Sequence, residues 1–98
     1  MNHLLDEISS VISDPRADRA QVERTLTDGY AHALALEAER SRLRKRVDEV
    51  TQGLGRDRSG EKAQELSALA RRLDGNALDL SALRKVLAEL KSRRATLA

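Results

Sequence analysis

The sequence predicts an all-α fold: a long antiparallel helical hairpin of the coiled-coil kind, with a short N-terminal helix packed at the hairpin's open end. Three observations carry this. The first is a pair of heptad runs, Val22, Leu26, Gly29, Ala33, Leu36, Arg40, Leu43, Val47, Val50 and then Leu66, Leu69, Leu73, Asn76, Leu80, Leu83, Leu87, Leu90, Arg94, Leu97. Alternating steps of four and three place each run along one stripe of a helix, the a/d pattern of helices that pack side by side. The second is the turn-rich stretch Gly53-Leu54-Gly55-Arg56-Asp57-Arg58-Ser59-Gly60 between the runs. The third is a composition of 35% charged and 1% aromatic residues, in which Leu and Ala supply most of the apolar side chains, as in long helices.

The elements follow in chain order. Leu4, Leu5, Ile8, Val11 and Ile12 fall at i, i+3, i+4 spacing and share one face, so a short helix is expected over about 3–13. Asn2 is placed to cap it, and Pro15 ends it by disfavouring helical geometry at Asp14. The pair Asp14-Pro15 reads as N-cap and first position of the next helix, since Pro lacks only an N–H that would be unpaired there. That helix is expected over about 15–52, with Asp18 favourable to its dipole and Gly53 as terminator. The turn occupies 53–60. Ser59 is the expected cap of a last helix over about 60–96, with Glu61 in its first turn and Lys91, Arg93 and Arg94 near its end. Gly75 offers an alternative ending, with Asp79 or Ser81 capping a further helix. The heptad phase nevertheless runs unbroken from Leu73 through Asn76 to Leu80, so one continuous helix is expected.

The register can be read inside the sequence. Placing the turn centre at Arg58 pairs residues whose numbers sum to 116. Leu26 then meets Leu90, Gly29 meets Leu87, Ala33 meets Leu83 and Leu36 meets Leu80. Beyond them Leu43 meets Leu73, Val47 meets Leu69 and Val50 meets Leu66. Small residues oppose large ones, as close packing asks. The polar intrusions also coincide, Arg40 opposite Asn76, and a lone polar layer of this kind commonly fixes register at some cost in stability.

Charge and composition narrow the function classes. Ninety-eight residues make a single domain. The net charge of +2 is unevenly spread: residues 1–39 carry three basic and eight acidic side chains, 40–62 eight and four, 63–98 seven and four. The chain has no Cys, hence no disulfide or thiolate chemistry. The N-terminus has no basic n-region, so no signal peptide is expected and the cytoplasm is the expected compartment. No stretch approaches the roughly 20 apolar residues of a membrane span. Gly55 and Gly60 have the spacing of a phosphate loop, but Glu61 stands where its Lys belongs and no strand precedes. His3 and His32 are far apart, with only Asp28 near His32, where zinc wants three or four converging ligands. A two-helix hairpin offers no enclosing pocket to shift pKa values. No enzyme, cofactor, metal or small-molecule substrate is expected.

Nucleic acid is the more serious alternative. Arg40, Arg42, Arg44, Lys45, Arg46, Arg56, Arg58 and Lys62 crowd the turn end, and Arg binds phosphate well. These cations point all round the helix, Asp48, Glu49, Asp57 and Glu61 dilute them, and Tyr30, the single aromatic, lies far from the tip. Without a stacking platform for bases, this reading ranks below protein contact.

The apolar faces carry the remaining signal. Leu83, Val86, Leu87, Leu90 and Leu97 make a wider stripe than a/d packing needs, and such width serves a second neighbour. The N-terminal helix can fold back onto it as a three-helix core, or the same residues can meet a partner. The function expected is therefore a non-enzymatic protein–protein interaction module, an adaptor, assembly or scaffold hairpin. A homodimer is the expected state, with Leu4, Leu5, Ile8, Val11 and Ile12 contributing to the contact and Arg40 and Asn76 setting the register. The stretch from Gly29 to Arg40, about an eighth of the chain, resembles flagellar export chaperones. That resemblance implies the alternative of a chaperone-like binder of an amphipathic helix or export substrate.

Overall fold

In a computed structural model the chain is described over residues 2–56 and 60–97, Asn2 by its backbone only. Helix α1 spans Asn2–Ser13, α2 spans Arg19–Gly53, a 3₁₀ turn covers Leu54–Arg56, and α3 spans Glu61–Thr96. The last two helices run antiparallel along each other, and α1 packs against both at the open end. The molecule measures 63 × 17 × 14 Å with a radius of gyration of 18.5 Å. A globular chain of this length would have a radius near 13 Å, so the hairpin is a rod.

The corner after α1 differs from the expectation. The long helix does not start at Pro15 with Asp14 as cap. It starts at Arg19, and Asp18 is the N-cap, in extended conformation (φ −91°, ψ 170°) with its side chain accepting from the Gln21 N–H at 2.8 Å. Asp14 and Pro15 instead open a turn: the Asp14 carbonyl accepts from Ala17 N–H at 3.2 Å and its carboxylate from Arg16 N–H at 2.9 Å. Pro suits the second position of such a turn as well as it suits a helix start. The turn prevails because α1 must reverse onto the hairpin, and burial of Ala17 in the core draws the corner inward. A helix from Pro15 would carry α1 away from its apolar neighbours.

Smaller corrections concern the other ends. Asn2 is the first residue of α1 rather than its cap, and its side chain lies outside what is described. Gly53 closes α2 from within, and Leu54 takes the C-cap position in helical geometry, so the backbone leaves through a 3₁₀ turn rather than a left-handed glycine. Gly60 is the N-cap of α3, with φ +83° and no side-chain cap bond. A side chain there would be strained, which is why glycine stands at the point where the chain re-enters a helix. Ser59, the expected cap, lies outside the described residues with Asp57 and Arg58. Gly75 does not break α3, which runs through it.

A polar layer divides the core in two. At the open end Ile8, Val11, Ala17, Val22, Leu26, Ala33, Leu80, Leu83, Leu87 and Leu90 bury one another across all three helices. Toward the tip Leu43, Val50 and Leu69 form a smaller cluster with Val47, Leu66 and Leu73 at its margin. Between them lies Asn76, 5% exposed. Its amide donates to the Leu36 carbonyl at 2.9 Å, and one level on Arg40 donates to the Leu73 carbonyl at 3.4 Å. Ion pairs Arg46–Glu65, Arg72–Glu39 and Arg84–Glu37 then cross between α2 and α3 along the outside.

Candidate functional site: an open groove between the long helices

The nine residues expected at a partner contact come together within one chain. Ile8 of α1 and Leu83, Leu87 and Leu90 of α3 are buried in the open-end core, joined by Val11. Leu4, Leu5, Ile12 and Val86 are half-buried against it. Ile8, Leu83 and Leu90 are 0% exposed, so with α1 seated they present no surface to a second molecule. Gly29 makes the junction possible: a Cβ there would collide with Leu87 Cδ2 and come 3.6 Å from Ile8 Cδ1. A further tie, absent from the heptad pattern, is Arg93. Its Nη2 donates to the Asp14 carbonyl at 2.8 Å, fastening the end of α3 to the α1–α2 corner.

With that stripe covered, the free apolar surface lies elsewhere. Among the described residues the large exposed apolar side chains are Tyr30 (46%), Leu34 (65%) and Leu78 (72%). Tyr30 and Leu34 are four residues apart on α2 and, with Ala88 of α3, line a groove between the long helices. In helical projection they face away from the α2 residues Gln21, Thr25 and Asp28, which lie beside α1. So α1 covers one side of the hairpin and the groove is open on the other. Its rim is charged. Arg84 Nη2 and Glu37 Oε1 pair across it at 2.6 Å. Lys91 stands at its open end with no ion-pair partner among the described residues.

Sequence reasoning missed this groove because Tyr30, Leu34 and Ala88 fall outside the a/d stripe. The signal available was the i, i+4 spacing of Tyr30 and Leu34 on the flank opposite the one α1 would cover.

The remaining sites are quickly placed. The basic tip is partly self-neutralised. Arg46 pairs with Glu65 at 2.7 Å and Glu49 at 3.2 Å, and its hydrogen bonds to Glu65, then Glu49, hold its pKa above the ordinary guanidinium value. Arg40 is engaged with the Leu73 carbonyl. Among the described residues no group of three or more His, Cys, Asp or Glu is arranged to hold a metal ion, and no helix is long and apolar enough to cross a membrane. Comparison with protein-family models, curated proteins and solved structures yields no match.

Proposed function

We propose that the chain is a non-enzymatic protein–protein interaction module, an adaptor, assembly or scaffold hairpin of the cytoplasm, working through the open groove between α2 and α3. The observation that carries this reading is the pair Tyr30 and Leu34, 46% and 65% exposed, on a flank whose backbone is held rigidly by two long helices. Isolated apolar residues on a surface are ordinary; two that line a shared groove with a charged rim fit the anatomy of a contact site, apolar at the centre and polar at the edge. A groove between two long helices is a shape into which an amphipathic helix docks in other proteins, which also supports the second reading, a chaperone-like binder of an amphipathic helix.

A photo-crosslinking residue at position 34 tests this in the native cell, with position 78 as control, since Leu78 is as exposed but is not among the residues that line this groove. The expected result is a discrete protein adduct at 34, absent at 78 and abolished by Tyr30→Ser. Equal labelling at both positions, or none at 34, would overturn the reading.

A further inference from the structure

We infer that the groove's occupant is α2 of a second copy of this chain, laid antiparallel, so that the protein is a two-fold symmetric dimer through the face opposite α1. The inference rests on the interaction reading above and names its partner.

The argument is self-complementarity. The flank of α2 beside the groove carries Tyr30, Leu34 and Glu37, spaced four and three, the spacing that lets one helix stripe pair with another. With a two-fold axis between residues 30 and 34, Tyr30 of each copy meets Leu34 of the other, and both exposed apolar side chains are covered at once. The same operation sets Glu37 of one copy level with residue 27 of the other. In the hairpin, Gly29 lies against Leu87, which puts Lys91 level with residue 25. The backbone levels of Glu37 and of Lys91, which has no ion-pair partner among the described residues, are then two residues apart along the axis, about 3 Å, an offset that long side chains can span. A two-fold axis makes each contact twice, so the uncompensated cation of each groove gains the other copy's Glu37, which already holds Arg84.

The longer-range charge agrees. Antiparallel pairing runs residues 40–46 of one copy, with five basic and no acidic side chains, alongside 18–24 of the other, whose two acidic and two basic side chains balance. A parallel pair would set the basic stretches side by side. The overlap, residues 18–46, is about 43 Å long at 1.5 Å per residue. Across the ~11 Å width of one helix with its side chains its footprint is roughly 470 Å², the size of a weak, concentration-dependent contact rather than the ~800 Å² per partner of a standard interface.

Sedimentation of the full chain from 1 µM to hundreds of µM is the test, with Leu34→Asp and Lys91→Glu beside wild type (test concentrations on the order of usual interface affinities). Both positions are exposed, so circular dichroism should show an unchanged fold. Wild type should dimerise. Leu34→Asp should weaken the dimer by at least about thirtyfold, the loss of a central anchor in duplicate. Lys91→Glu should weaken it by about tenfold, with less salt dependence than wild type. Orientation is read with introduced thiols, since the chain has no Cys. A Tyr30→Cys chain mixed with a Leu34→Cys chain should crosslink faster than either alone. Faster like-with-like crosslinking, a dimer untouched by Leu34→Asp, or a monomer at every concentration would overturn the inference. A monomer that still gives the Tyr30-dependent adduct would sink the self-pairing while leaving the interaction reading standing.

Discussion

Asn76 and Gly29 show how single side chains set where the helices can sit. The Asn76 amide has a partner in the Leu36 carbonyl, but its Oδ1 is buried with no protein donor among the described residues. An unsatisfied buried acceptor costs about 1–3 kcal/mol. Replacing Arg40 and Asn76 together with Leu should therefore raise the urea midpoint, by about 1–2 kcal/mol in unfolding free energy, while allowing alternative registers. Spin labels on both arms would read the registers as more than one distance. A lowered midpoint would show that the polar layer stabilises rather than specifies. Glycine gives a second contrast. Ala in an open helix site gains about 1 kcal/mol over Gly, and nothing lies within 4 Å of a Cβ at Gly75, so Gly75→Ala should stabilise by that amount. At Gly29 the same gain is opposed by collision with buried Leu87, and overpacking costs about 1–3 kcal/mol. Gly29→Ala should be neutral to destabilising by about 2 kcal/mol, and thermal melts of the two variants should move apart.

Among the elements, α1 depends most on its neighbours. Twelve residues are marginally helical alone; Ile8, buried against Gly29 and Leu87, anchors it. Ile8→Ala should cost about 3 kcal/mol and lower the melting temperature by roughly 10–25 °C, and hydrogen exchange should show α1 released first. If only the tip exchanged faster, α1 would not be the weak element. The heptads made the two long helices legible, because each position repeats the same instruction. The corner was not legible in the same way. Asp14-Pro15 satisfies both a helix start and a turn, and only the demand that α1 fold back chooses between them. For the same reason the open groove could not be read directly: periodicity says which residues face the other long helix, and not which flank a third helix leaves bare.

For the molecule as a whole, the distribution of charge matters more than its sum. The tip is basic, yet Arg46 is held by Glu49 and Glu65. Changing Arg56 and Arg58 to Ser should leave the fold, the adduct at position 34 and the self-association unchanged, as circular dichroism, crosslinking and sedimentation would report. Tight RNA or DNA binding by wild type that weakens steeply with salt and vanishes in this variant would place the working surface at the tip instead.

The polar layer has one more consequence, for how such a rod can change length. Everything that seats α1 and forms the groove lies on one side of Asn76, and only the smaller cluster lies beyond it. Arm length past that layer is therefore a free dimension, provided it changes in matched heptads. Excising 43–49 together with 67–73, which face each other when residue numbers sum to 116, would bring Val50 and Leu66 into the places of Leu43 and Leu73. The rod would shorten by about 10 Å with its open end untouched. Removing either heptad alone would leave a stripe unopposed. Insertions and deletions should thus be tolerated in pairs and punished singly, which makes the hairpin a ruler graduated in sevens.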